Sequence, residues 1–118
     1  MIIHNGLVAP GVLRVSPEAL NYARDFIKAV AAAHGPGNIA IFGWADMVTF
    51  KTDPDGSTQV VKDFLALGAI SRSEIPTDAI QTIDGFDFAI ELPLKILQKS
   101  VERLIDMDKD AFAKLVLK

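Results

Sequence analysis

Between Ser16 and His34 apolar residues recur at three- and four-residue spacing: Ala19, Leu20, Tyr22, Ala23, Phe26, Ile27, Val30 and Ala31. That period gathers them on one broad face of a helix, with Asn21, Arg24, Asp25 and Lys28 on the other. The ends carry their own signals. Ser16 supplies a capping hydroxyl, Pro17 fits the first helical position, and Glu18 sits in the positive first turn. His34-Gly35-Pro36-Gly37 ends the helix, with glycine available for a left-handed cap.

The other segments are shorter and read mostly as strands. Gly11–Val15, Asn38–Trp44 and Met47–Thr52 have β character, and Asp53-Pro54-Asp55-Gly56 is a turn. In Gln59–Gly68 the residues Val60, Val61, Phe64, Leu65 and Leu67 suit a short helix and a strand equally, whereas Ser71–Thr77 reads as a loop. Ala79–Ile83, Asp84-Gly85 and Phe86–Leu92 form a hairpin pattern, because glycine tolerates the positive φ of a type I′ turn. Its second strand places Phe86, Phe88, Ile90 and Leu92 on one face and leaves Asp87 and Glu91 facing solvent. Pro93 stops it. Leu94–Leu104 predicts a short helix with Leu97, Val101 and Leu104 on one side, and Asp108–Lys118 a last strand. The fold class is therefore α+β, with short, mostly antiparallel strands, one main helix and a short second one.

Composition narrows the function more than it names one. The 118 residues form one domain, 1–118, with 1–10 a frayed N-terminal segment. There is no cysteine and there are only two histidines, so thiol nucleophiles, disulfides and soft-metal sites are excluded or handicapped. The net charge of −3, with both signs interspersed, speaks against nucleic acid or an anionic membrane as partner. No run reaches the roughly 18–20 apolar residues of a membrane helix. The first ten residues lack the charged start of a signal peptide, which points to the cytoplasm.

Leu13-Arg14-Val15-Ser16-Pro17-Glu18-Ala19-Leu20 resembles the opening of the HesB-like, A-type iron–sulfur carrier family, where a strand leads into a Ser/Thr-capped helix. Thr82-Ile83-Asp84-Gly85-Phe86-Asp87-Phe88-Ala89-Ile90 is similar to that family's Asp-Gly hairpin. Leu94–Leu97 and Leu104-Ile105-Asp106 resemble the segment that follows. The resemblance spans about residues 12–108 and implies a HesB-like, sandwich- or barrel-like fold. The family's chemistry depends on one cysteine after the early strands and a C-terminal Cys-Gly-Cys. Here those regions read Phe42-Gly43-Trp44-Ala45-Asp46-Met47 and Ala111-Phe112-Ala113-Lys114, so no ligand carries over and no cluster or other cofactor is expected.

Several residues invite a chemical role and are read structurally. Asp106, Asp108 and Asp110 begin like a calcium loop, but Ala111 and Leu117 stand where it needs glycine and a bidentate acid, so an acidic turn fits better. His4 and His34 lack a partner at metal-ligand spacing and read as surface histidines. Asp84 belongs to a turn and Asp87 and Glu91 to a solvated strand face, while Arg72 and Glu74 sit in a polar loop. Trp44, with Asp46 and Met47 beside Gly43, is the candidate pocket or interface, since a tryptophan at a strand end can line a pocket or anchor a partner.

Three functions are weighed. The first is a non-enzymatic binding or accessory protein that keeps the carrier fold without its cysteines and self-associates, or meets a protein partner, through exposed strands or the Trp44 region. The second is small-molecule or hard-metal binding, with catalysis open, through Asp46 and other carboxylates near Trp44; it requires them to converge. The third is residual iron or cluster binding through oxygen and histidine ligands.

Overall fold

The structure is a computed structural model that describes residues 6–45, 49–61 and 63–118, and of 49–51, 59 and 61 the backbone. The elements run β1 (Arg14–Val15), α1 (Pro17–His34), β2 (Asn38–Ala45), β3 (Thr49–Thr52), β4 (Thr58–Val61) and β5 (Phe64–Ser71). After short 3₁₀ turns at Arg72–Glu74 and Thr77–Ala79 come β6 (Gln81–Ile83), β7 (Phe86–Glu91), α2 (Leu94–Lys99), β8 (Leu104–Met107) and β9 (Leu115–Leu117). The fold is α+β, with one main helix and a short second one.

The central sheet has the order β5-β2-β7-β6. β2 runs antiparallel to β5 from Asn38↔Ser71 to Ala45↔Phe64, and parallel to β7 from Ala40↔Phe88 to Gly43↔Glu91. A second sheet, β1-β8-β9, pairs β1 parallel to β8 and β8 antiparallel to β9. β3 and β4 form a ribbon of their own, closed by the Asp53–Gly56 turn, in which the Gly56 N–H donates to the Asp53 carbonyl.

α1 starts as its sequence dictates. The Ser16 Oγ accepts from the Ala19 N–H at 3.1 Å, and at the other end Gly35, at φ 83°, donates its N–H to the Ala31 carbonyl. Leu20 and Ala23 of α1, with Val15, Ile105 and Leu115 of the second sheet, cover one face of the central sheet. There Phe42 and Phe88 meet edge to face, 5.8 Å between ring centres and fully buried. On the opposite face Ile39 and Ala89 pack against Ile75 and Ala79 from the 3₁₀ turns. Burial on both faces explains why β2 reads as a nearly unbroken apolar run.

The Asp-Gly hairpin forms as expected, with Asp84 at φ 52° and Gly85 at φ 77° between Ile83 and Phe86. Other segments differ. Gln59–Gly68, open between helix and strand, is strand up to Val61 and again from Phe64, with Asp63 at φ 58°. The loop after Ser71 tightens into 3₁₀ turns because Ile75 and Ala79 are drawn into the core. The second helix ends at Lys99 rather than Leu104; Arg103 at φ 52° turns the chain, Leu104 opens β8, and Val101 is 91% exposed instead of facing inward. The final strand is confined to Leu115–Leu117, since Ala111–Lys114 closes a turn with Lys114 at φ 69°. Within the segment read as frayed, Gly6–Val8 is tied to β7: the Val8 N–H donates to Ile90 and the Leu92 N–H to Gly6, both at 2.8 Å, and Val8 is buried.

Candidate functional site

Trp44 stands opposite Leu65, one residue beyond the last rung between β2 and β7. Its side chain packs against the main core and also borders a cleft of about 480 Å³. The cleft lies between the end of the central sheet, α2 and β9. Trp44, Phe64, Leu65, Ile96, Leu115 and Leu117 supply apolar wall, and Asp63, Lys99 and Ser100 supply polar groups. A volume of this size falls in the range of small-molecule pockets.

Local bonding holds the cleft's far wall in place. Ser100 is buried; its hydroxyl donates to the Lys118 carbonyl and accepts from the Arg103 N–H at 3.1 Å. The Lys118 N–H donates to the Leu104 carbonyl at 2.9 Å, and the Lys118 ammonium pairs with Asp106 at 3.0 Å. The Ser16 hydroxyl, then Lys118 and the Met107 N–H, hold the Asp106 carboxylate down at about 2, and Asp106 in turn raises Lys118. At the near side the Phe64 and Phe112 rings meet at 5.1 Å, edge to face.

Trp44 also borders a hollow of about 210 Å³ on the opposite sheet face, where Gly43, Ala45, Ala66 and Gly68 leave the sheet bare beside Glu91. Glu91 is not the solvated residue its alternation suggests. Leu7 bridges to it, and one carboxylate oxygen, Oε2, is buried without a hydrogen-bond partner. Burial raises its pKa above the usual carboxylate range. The close approach depends on Gly6, where a Cβ would stand 3.2 Å from both the Glu91 Cγ and the Leu92 carbonyl oxygen.

Of the residues singled out from sequence, Trp44 lines both recesses, while Asp46 and Met47 lie outside the described residues, as does His4. His34 is exposed in the last turn of α1. Arg72 forms an ion pair with Asp87 at 2.8 Å, and the Thr82 hydroxyl donates to the same carboxylate at 2.5 Å. Thr82 first and Arg72 second lower the Asp87 pKa, so Asp87 is a paired, half-buried residue and not a free acid. The Asp110 N–H donates to the Asp108 carboxylate at 2.9 Å, as an acidic turn requires. Among the described residues no three His, Asp or Glu side chains are placed to hold a metal ion.

The sequence reading missed the cleft's far wall and Glu91. The far wall could not be found by local pattern, because it joins residues about fifty to seventy positions from Trp44. Glu91 did carry a signal. Phe88-Ala89-Ile90 is apolar on both faces, and an acid sharing a face with a buried alanine has a covered position as its neighbour. Compared with protein-family models, curated proteins and solved structures, the chain matches none.

Proposed function

We propose that the chain is a non-enzymatic binding or accessory protein with an iron–sulfur-carrier-like fold that has lost the cluster-ligating cysteines, and that the Trp44 cleft holds what it binds. One observation carries the reading. Phe64, the cross-strand partner of Ala45, meets Phe112 edge to face, which links the two segments that the resemblance aligns with the family's cysteine-bearing regions. On this reading two aromatic rings meet in the region to which the resemblance assigns the family's thiols. The cleft beside it offers apolar wall with one ammonium, Lys99, and one carboxylate, Asp63. That chemistry suits a partner's apolar side chains, or a small molecule with an apolar body and a polar end, and among the described residues only one acid, Asp63, lines the cleft. β3 and β4 add a surface for self-association, since a two-stranded ribbon needs further packing to be stable and Val60 is 64% exposed on it.

Native mass spectrometry on protein purified without chelator tests this reading. The expected result is a stoichiometric extra mass, a second copy or a partner chain that Trp44→Ala sheds while the variant stays folded. A bare monomer in both proteins, or a complex that Trp44→Ala leaves intact, contradicts it.

A further inference from the structure

A second recess, independent of the Trp44 cleft, lies between two sheet edges. β1 is the outer strand of one sheet and β6 the outer strand of the other, and both line a groove of about 600 Å³. The Arg14 N–H donates to the Arg103 carbonyl just before β8 and the Ser16 N–H to the Ile105 carbonyl within it, both at 2.8 Å, so the period of the strand turns the Val15 peptide groups away from β8. On β6, Ile83 and Phe86 flank a two-residue turn and form the bonded pair, which leaves Thr82 opposite Asp87 in a non-bonded pair. The Thr82 N–H and C=O therefore point off the edge of the central sheet.

Two side chains extend this open polar pattern. Gln81 is only 6% exposed; its Nε2 donates to the Val8 carbonyl at 3.3 Å, while its Oε1 accepts no bond among the described residues. Among the described residues Arg14 is the single charged side chain lining the groove. It donates to the Glu102 carbonyl at 3.3 Å and has no carboxylate partner among the described residues. Leu13 and Ile83 add apolar lining.

We propose that this groove binds an extended, acidic peptide segment of a partner protein, which adds a strand to β6 and places a carboxylate on Arg14. Unpaired main-chain groups on an edge strand supply affinity without sequence preference, and pockets or charges beside it supply selectivity. The lone guanidinium chooses the occupant, because a carboxylate can bind it bidentately and a basic or neutral segment cannot.

The test is selection of random seven-residue peptides displayed on phage against the folded protein, followed by synthesis of the enriched sequences. Enriched peptides are expected to carry a carboxylate among β-branched residues. Arg14→Gln should weaken them by about tenfold or more. Thr82→Pro should abolish binding, since proline there removes an outward N–H and no ladder bond. N-methylation of alternate peptide nitrogens should do the same on wild-type protein, which keeps the test valid if Thr82→Pro folds poorly. No enrichment, enriched peptides without an acid, or binding indifferent to both Arg14→Gln and N-methylation would overturn the proposal. Peptides that instead shift Trp44 would place the docking surface at the other recess and equally overturn it.

Discussion

Replacing Glu91 with glutamine should stabilise the protein at neutral pH. Glu91 Oε2 is buried without a donor, and burial alone raises the pKa of the group. An unsatisfied buried polar atom costs about 1–3 kcal/mol, more when charged. Glu91 is only partly buried, so water screens the rest of the carboxylate, and the net gain from removing the charge is about 0.5–1 kcal/mol. For 118 residues the unfolding entropy is about 0.25 kcal/mol/K, so Tm should rise by about 2–4 °C at pH 7. The pH dependence identifies the cause. A carboxyl whose folded pKa lies above its ordinary 4.5 contributes stability that is complete below pH 4.5 and is lost as pH rises through the folded value. Thermal melts of both proteins from pH 3 to pH 8 should therefore converge at the acid end and separate above it. A variant less stable at pH 7, or a gain that persists unchanged at pH 3, would refute burial of the charged form as the cause.

Other expectations follow from the same framework. Ser16→Ala removes both the cap of α1 and a hydrogen bond to Asp106, and should cost about 1–2 kcal/mol, read as a lower midpoint in urea. Asp106→Asn should lower Tm at pH 7. Because the folded pKa falls from 3.8 to about 2, that difference is present above about pH 4 and vanishes as pH drops toward 2. Phe88→Ala, in the fully buried edge-to-face pair with Phe42, should cost about 3–5 kcal/mol in denaturant titrations. A smaller loss would mean the neighbouring side chains collapse into the space. Gly85→Ala, at φ 77°, should destabilise the hairpin and speed amide exchange at Ile83 and Phe86, the bonded pair that flanks the turn, before it affects α1.

Legibility of the fold tracked how local each determinant is. The Ser16 cap, the Gly35 stop and the Asp84-Gly85 turn are decided within a few residues, and each is where the sequence puts it. The second helix was extended too far because Leu97, Val101 and Leu104 keep helical spacing. What breaks the helix is the pairing of Leu104 with Arg14 in the second sheet, ninety residues away in sequence. Glu91 was misplaced for a related reason: strand alternation assigns faces, but only the returning Gly6–Val8 segment decides which face is covered. At the candidate site Trp44 is identifiable as the lone tryptophan, beside glycine at a strand end. The α2 and β9 residues that complete its cleft were not, since nothing in their own neighbourhoods distinguishes them from ordinary core and surface.

Trp44 is the single tryptophan of the chain, so its indole N–H gives one resolved signal in a ¹H–¹⁵N correlation spectrum. Titrating a set of small aromatic carboxylates and aliphatic acids against that signal tests the binding cleft directly. The account predicts a saturable shift of the indole signal together with the amides of Lys99 and Leu117, which face the same cleft from α2 and β9. An indole signal that stays fixed while other amides move, or no movement anywhere across the set, would contradict the claim that Trp44 marks the site where this protein binds.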